Sequence, residues 1–283
     1  MLLEKINQNK NIMWLSFILL INITVKLIFI FNLDLNILNL ADQSKYLRIS
    51  QFILDNGYYP RMDNTYTNRM PLYPYFLYYL RSIFDNLYFV IIIQNLISCF
   101  SIFLVYNLSK LVYKKISILI TFIFSINLNI ILYTNLILTE AIFIQFFLIF
   151  FYFFIKFIKK QRFKDLVYSA IILAICTLIR PQTYYYPLLV FIFIFVFTQS
   201  SIIKKVIYLF IFATLFKLII FSWEFRNYVT YGKFFLSTSN QTNLVGYYLP
   251  HFDQYEYNLD LVNAKKNRIE HWNQYLLSKN FQK

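Results

Sequence analysis

The chain of 283 residues is too apolar for a soluble domain, since 59% of its residues are hydrophobic, 22% are aromatic and 14% are charged. Such a composition is typical of polytopic membrane proteins. The formal net charge of +14 comes from basic residues between apolar runs rather than on one soluble face, so no nucleic-acid partner is expected.

Apolar runs recur near the roughly 20 residues that a helix needs to cross a bilayer. The sequence therefore predicts an all-α fold with seven transmembrane helices, at residues 11–32, 87–112, 116–133, 141–157, 166–179, 184–198 and 202–221. The fifth and sixth are short and can also be counted as one kinked hairpin. Pro181 separates them, because proline removes a backbone donor and disfavours helix at the preceding residue.

Short-loop basic residues set the predicted orientation. One side carries Lys5 and Lys10, Lys114 and Lys115, the run KFIKKQRFK, and Lys204 and Lys205. That side is predicted to be cytoplasmic, so we expect a multi-pass protein of the inner (plasma) membrane with a cytoplasmic N-terminus. The first long loop, at 33–86, and the segment after the seventh span are then extracytoplasmic.

The first extracytoplasmic loop is predicted to contain two amphipathic helices that lie in the membrane interface. One covers residues 42–56, with Tyr46, Ile49, Phe52 and Ile53 on a single face. The other begins in MPLYPYFLYYLRSIF, where Pro71 suits a first helical turn. Their tyrosines form either an aromatic belt at headgroup depth or surfaces for stacking on a sugar or lipid.

The three glycines all lie in predicted outer loops, so the spans are expected to pack through Ser, Thr, Asn and Ala instead. Cys99 and Cys176 lie in apolar runs without metal-type spacing. With no His or Cys cluster, the sequence supports no metal site and requires no cofactor, and it leaves a bound divalent cation open but unsupported.

A series of short motifs follows the predicted outer face. In order they are Asp42 with Tyr46 four residues on, GYYP, NRMPLYP, LTEAIF, LIRP and WEFRNYVTYGKFFLSTSNQTNL. The series resembles the membrane glycosyltransferases of the C superfamily, in particular the protein O-mannosyltransferases and the lipid A aminoarabinose transferases. The resemblance covers about residues 11–246. The expected glycosyltransferase module is residues 1–246, and a polar extracytoplasmic segment follows at 247–283.

The resemblance implies transfer of a sugar from a polyprenyl-phosphate donor to an acceptor hydroxyl on the extracytoplasmic face, with inversion. The acceptor is a lipid, a glycan or a protein, although Gln43 replaces the second acid of the Asp-Glu pair that protein mannosyltransferases have, which weakens the case for a protein. Relatives usually continue with further spans, so three alternatives stay open: a truncated product, the first half of a split gene, or a minimal module that needs a partner subunit to supply those spans.

Two acids are the candidate catalytic residues. Asp42 matches the family acid that opens the first loop and is our candidate base, with a helix N-cap as the alternative. Glu140 begins the fourth span and is either a second acid at the site or a helix cap.

The departing polyprenyl phosphate needs cationic groups around it. The candidates for donor-phosphate binding are Arg69, Arg180, Arg226 and Lys217, each with snorkelling to lipid headgroups as the alternative. Lys26 also lies near an outer span end, where snorkelling is favoured.

The candidate substrate-binding residues are Tyr46, Tyr73, Trp223, Asn227 and Asn243. The region around Asn243 alternatively forms only a turn. Two other functions stay open. A lipid-linked sugar transporter should have ionisable groups near the bilayer midplane, where the sequence has almost none. A noncatalytic, lipid-binding subunit remains the other alternative.

Overall fold

A computed structural model of the protein describes residues 2–32, 41–61, 68–84, 86–258 and 260–278. Within these ranges the regular structure is helical and contains no strand, which confirms the predicted all-α class. The helices in chain order are α1 (Leu2–Phe31), α2 (Ala41–Asn56), α3 (Leu72–Ile83), α4 (Leu87–Val112), α5 (Ser117–Ser125), α6 (Leu128–Thr134), α7 (Glu140–Lys160), α8 (Phe163–Ile179), α9 (Tyr186–Phe197), α10 (Ile202–Tyr231), α11 (Ser239–Asn243), α12 (Leu249–Tyr257) and α13 (Leu261–Ser278).

In the part of the chain that the structure describes, four helical segments are long and apolar enough to cross a membrane: Lys10–Phe31, Leu87–Val112, Glu140–Lys160 and Ile202–Tyr231. A fifth arises if the bent pair Lys114–Ser125 and Leu128–Thr134 is one span. The protein is therefore a multi-pass membrane protein with four or five such spans. The two short spans predicted from the sequence correspond to α8, with 17 residues, and α9, with 12, and their crossing stays a prediction.

The predicted third span is not one straight helix. It bends by 53° between α5 and α6. Asn127 starts the new helix, because its side-chain oxygen accepts a hydrogen bond of 3.3 Å from the Ile130 backbone N–H. The Asn22 amide of α1 donates to the Ser125 carbonyl at 2.6 Å, so the end of α5 is capped from a neighbouring helix.

The break predicted between the fifth and sixth spans is confirmed. Helix α8 ends at Ile179, Arg180 is extended, and a 3₁₀ turn begins at Pro181. The C-terminal end of α10 is set by Gly232, whose φ of +70° lies in the left-handed region that favours glycine.

Small polar side chains line the contacts among α1, α4 and α5, as expected for helices without glycine. Ser98, Ser101, Thr121 and Ser125 are all buried. Lys26 is buried with them, at 3% exposure. Its ammonium donates to Ser98 Oγ and lies 3.7 Å from Cys99 Sγ, so the favoured snorkelling of Lys26 is wrong. The reason is that α4 offers it partners inside the bundle.

The helices alternate in direction, which gathers the loops at two ends. We call one the site end: it holds α2, α3, the starts of α4 and α7, and the ends of α8 and α10. The other is the lysine end, where Lys159 at the end of α7 donates to the Leu111 carbonyl at the end of α4. Helix α7 packs against both α4 and α8.

The described residues fall into two compact units. The larger unit is drawn from Met1–Pro60 and Met70–Phe234, and the smaller from Arg61–Arg69 and Phe235–Lys283. In the smaller unit the Arg268 guanidinium binds the Asp253 carboxylate through two nitrogens and holds the pKa of Asp253 below its usual range. The functional boundary predicted after Gly246 stays a prediction.

Candidate active site

The first turn of α2 is anchored to the loop that precedes α7. Gln43 is buried, and its Oε1 accepts a hydrogen bond of 2.9 Å from the Ile137 backbone N–H. Its neighbour Asp42 has a side chain that is 49% exposed, with Lys45 Nζ 3.8 Å from the carboxylate. Because α2 begins at Ala41, Asp42 lies in the first turn, where the helix dipole favours a negative charge. The candidate base is thus both fixed and accessible.

A guanidinium clamp joins α2 to α3. Arg81 Nη1 donates to the Leu47 carbonyl at 3.0 Å and to Ser50 Oγ at 2.6 Å, and Nη2 donates to Gln51 Oε1 at 2.6 Å. Both helices occur where the sequence predicts them. Their apolar faces pack inside the protein, and their position in a membrane interface stays a prediction.

Tyr46 and Tyr73 are packed inside the protein rather than exposed on its surface. Their rings meet edge to face with centroids 5.0 Å apart, and both side chains are buried. Tyr73 Oη donates to Gln94 Oε1 at 2.7 Å, while the Gln94 amide donates to the Leu136 carbonyl at 3.1 Å. Burial raises the pKa of the Tyr73 phenol well above its ordinary value, so this donor stays protonated. Direct contact of these rings with substrate stays a prediction.

Glu140, the first residue of α7, forms an ion pair with Arg180, which directly follows α8. Arg180 Nη1 lies 2.8 Å from Glu140 Oε1, and the side chains are 31% and 22% exposed respectively. The guanidinium also lies over the Phe143 ring, 5.5 Å from its centroid. Extended backbone at Arg180, set by the proline that follows, directs the chain out of α8 at this point.

One apolar cluster connects the ion pair to the first-loop helices. Tyr46 of α2 and Tyr73 of α3 belong to the same buried cluster as Ile142 of α7 and Ile179 of α8. Ile142 and Ile179 lie within two residues of Glu140 and Arg180 in the chain. The structure therefore gathers the helix that carries Asp42 and the Glu140–Arg180 pair at the site end.

Arg226 is held by the segment that follows α2. Its Nη2 donates to the carbonyls of Tyr59 and Pro60 at 3.2 and 2.8 Å, and Nη1 donates to Asn227 Oδ1 at 3.0 Å. The guanidinium lies 4.9 Å from the Trp223 ring and 5.3 Å from that of Tyr59. Three predicted residues, Trp223, Arg226 and Asn227, are thus in one cluster. Donor-phosphate contact by Arg226 would have to use its remaining hydrogen-bonding capacity and stays a prediction.

Lys217 pairs with an acid that the sequence analysis did not single out. Its ammonium lies 2.8 and 2.7 Å from the two Glu224 oxygens and 3.3 Å from Tyr184 Oη. The Glu224 side chain is 9% exposed, whereas that of Lys217 is 50% exposed. Lys217 and Tyr184 border a cavity of about 300 Å³ between α9 and α10. A phosphate contact of Lys217 stays a prediction.

The other two predicted residues, Arg69 and Asn243, belong to the smaller unit. Asn243 is the last residue of α11 and is exposed. Their participation in the site stays a prediction.

Sequence reasoning missed several residues that build the site end: Gln43, Tyr59, Gln94, Tyr184 and Glu224. A signal existed for Glu224, because it follows Lys217 by seven residues and so lies on the same helical face. The contacts of Gln43 and Gln94 join distant parts of the chain and left no such signal. Among the residues described, no group of three or more His, Cys, Asp or Glu side chains could hold a metal ion.

The sequence model of the family described as dolichyl-phosphate-mannose-protein mannosyltransferase matches residues 68–223, more than half of the chain. The protein belongs to this family of membrane glycosyltransferases. The match includes Glu140, Arg180, Lys217 and Trp223, whereas Asp42 precedes it. Comparisons with curated proteins and with solved structures give no significant match.

Proposed function

We propose that this protein transfers a sugar from a polyprenyl-phosphate donor to an acceptor hydroxyl of a lipid, a glycan or a protein. Membership of the mannosyltransferase family supports the glycosyltransferase class. The observation that carries the proposal is that the helix bearing Asp42 shares one buried apolar cluster with Ile142 and Ile179, which are chain neighbours of the Glu140–Arg180 ion pair. An accessible acid and a guanidinium at one end of membrane helices suit a donor that is itself a lipid.

In the proposed reaction the Asp42 carboxylate accepts the proton of the acceptor hydroxyl. The acceptor oxygen forms a bond to the anomeric carbon while the bond from that carbon to the phosphate oxygen breaks. Attack from the face opposite the leaving group inverts the anomeric configuration. The polyprenyl phosphate departs with the electron pair, and Arg180 stabilises its developing charge.

The remaining predicted roles belong to the same proposal. Glu140 orients Arg180 or the acceptor, and Arg69, Arg226 and Lys217 supply further positive charge to the donor phosphate. Tyr46, Tyr73, Trp223, Asn227 and Asn243 shape the substrate site. The proposed reaction requires no cofactor. Whether a divalent cation binds at the site stays an open question.

The proposed topology has seven spans, counting the bent α5–α6 pair, α8 and α9 as one each. It has a cytoplasmic N-terminus and a site on the outer face of the plasma membrane. Asp42→Cys and Arg180→Cys, each in a Cys99→Ser, Cys176→Ser background, test the sidedness. An impermeant maleimide should label both from outside intact cells, and labelling only after permeabilisation contradicts the proposed orientation.

The reaction is tested by transfer from radiolabelled polyprenyl-phosphate sugars to a membrane extract. Asp42→Asn should lower the rate about 10²- to 10⁴-fold, the range for loss of a general base. Asp55→Asn is the matched control, because Asp55 lies at the other end of α2 and is exposed. Equal rates for wild type and Asp42→Asn would remove Asp42 as the base. No incorporation by wild type with any donor would favour a noncatalytic subunit, with a partner subunit completing the enzyme.

A further inference from the structure

A groove that the proposed reaction does not use runs along α9, from Tyr186 to Phe197 near the lysine end of the helix bundle. It lies between α7 and α9 and has a volume of about 430 Å³. Aromatic and aliphatic side chains form its walls, among them Phe150, Phe154 and Phe193, and Lys159 lies at one end. The groove is therefore a hydrocarbon-lined space with one cationic margin.

A space of this kind suits a hydrocarbon chain. Apolar cavities stay dry, and an engineered one of about 150 Å³ is large enough to bind benzene. The groove also opens to the outside of the bundle, because the wall residues Leu189 and Phe197 are 51% and 56% exposed. On a membrane-spanning unit this outer surface faces lipid, so an acyl chain can enter sideways from the bilayer.

One ammonium group borders the groove, and a second binds the backbone of α9, which forms one of its walls. Lys159 of α7 donates to the Leu111 carbonyl, and Lys205 of α10 donates to the Phe195 carbonyl at 2.7 Å. Phe195 lies two residues before Phe197 in the last turn of α9. Each of these bonds uses one of the three donors of an ammonium group, so both lysines have donors left for a phosphate.

The loops at this end are also tied together. Ser200, between α9 and α10, donates its hydroxyl to the Gln161 side-chain oxygen just after α7. This bond keeps the start of α10, with Lys205, beside the end of α7, with Lys159. A basic margin next to an apolar inter-helix groove is the arrangement that recognises anionic lipid headgroups.

We propose that this groove binds an acyl chain of an anionic glycerophospholipid whose headgroup phosphate contacts Lys159 and Lys205. The occupant is a phospholipid rather than the polyprenyl-phosphate donor, because the donor reacts at the opposite end of the helices. A zwitterionic headgroup fits less well, since its own cation repels the two lysines. The choice of a phospholipid rests on the proposed function, whereas the groove and its lysine do not. The lipid-binding test below and the sugar-transfer test above use different readouts, so failure of one is distinguishable from failure of the other.

The test uses the full-length protein purified in detergent, titrated with phosphatidylglycerol, and analysed by native mass spectrometry. Wild type should retain phosphatidylglycerol in preference to phosphatidylcholine with the same acyl chains. Lys159→Gln and Lys205→Gln should each weaken phosphatidylglycerol binding about fivefold, from about one kilocalorie per mole for each basic residue. Lys160→Gln and Lys204→Gln are the neighbouring controls and should bind like wild type.

A second pair of variants tests the groove itself. Leu189→Trp fills it and should abolish retention, whereas Ile192→Trp, at a lipid-facing position of α9 outside the groove, should not. Equal retention of the two phospholipids by wild type, or unchanged binding in both lysine variants, would overturn the proposal. Displacement of phosphatidylglycerol by an equimolar polyprenyl phosphate would identify the occupant as a donor-type lipid and would also overturn it. If Leu189→Trp does not fold, the lysine variants alone decide.

Discussion

Arg180 Nη1 lies 2.8 Å from Glu140 Oε1, so a candidate phosphate ligand and a candidate acid are partners of one another. The two roles are compatible, because a guanidinium has five N–H donors and the carboxylate does not use them all. The pair also ties the start of α7 to the end of α8, which gives it a structural effect that can be measured without substrate.

The stability losses of the two single variants should therefore add up to more than the loss caused by removing both charges together. For Glu140→Gln, Arg180→Gln and the double variant, we expect a coupling free energy of about 1 kcal/mol, since the pair is partly exposed. Denaturant unfolding in detergent micelles, followed as a double-mutant cycle, measures it. Additive effects of the two single changes would show that the pair contributes nothing to stability.

The Arg81 clamp should determine how firmly α2 is held. Arg81→Ala removes three hydrogen bonds from a charged donor and should cost about 2 kcal/mol, in the range for one or two bonds to a charged group. Hydrogen exchange should rise in α2 while the amides of α4 stay protected. Lys110→Ala, a basic residue of the opposite end, is the control. Unchanged exchange in α2 would mean that its apolar face alone fixes the helix.

Stability should fall at alkaline pH because of two buried phenols. Burial raises the pKa values of Tyr59 and Tyr73 above the ordinary value of about 10. Above that pH the unfolded chain loses these protons while the folded protein keeps them, so stability falls as pH rises, by about 1.4 kcal/mol per pH unit for each phenol. Urea unfolding between pH 9 and pH 11.5 measures the free energy of unfolding at each pH. It should fall less steeply with pH in Tyr73→Phe than in wild type. The exposed Tyr79→Phe serves as control, and equal slopes in all three proteins would refute the assignment.

The two members of the Lys217–Glu224 pair should respond unequally to substitution. Lys217→Met leaves the nearly buried Glu224 carboxylate without its cation, and we expect a loss of about 3 kcal/mol. Glu224→Gln should cost less, because the half-exposed ammonium can turn to water or lipid headgroups. Thermal unfolding in micelles distinguishes the two. The double variant Lys217→Met, Glu224→Gln should be more stable than Lys217→Met, and failure of this recovery would contradict the argument.

Local signals in the sequence predicted much of the secondary structure. Pro181 placed the break after α8, and apolar spacing gave the extent of α2, because both effects act within a few residues. The bend of the third span was missed, since its cap at Ser125 comes from Asn22 on another helix. Apolar composition predicted seven crossings, whereas the helix lengths support four or five among the described residues, because α8 and α9 are apolar but short.

In the candidate site, too, local sequence predicted some features, and contacts between distant parts of the chain decided the others. Motif order selected Glu140 and Arg180, which the structure pairs, and Trp223, Arg226 and Asn227, which it clusters. Motif order did not separate surface tyrosines from core ones: Tyr59 and Tyr73 are buried, whereas Tyr58 and Tyr79 are exposed. Only tertiary packing makes that distinction, since all four occur in similar aromatic runs.

The enclosure of Lys26 has a consequence for biosynthesis. Its ammonium finds its partners, Ser98 and Cys99, on α4, which is synthesised later. Until α4 arrives, α1 holds a cation that hydrocarbon solvates poorly. We therefore expect α1 to become a stable membrane segment only once it packs against α4. The insertion machinery must keep these two helices near each other until they associate.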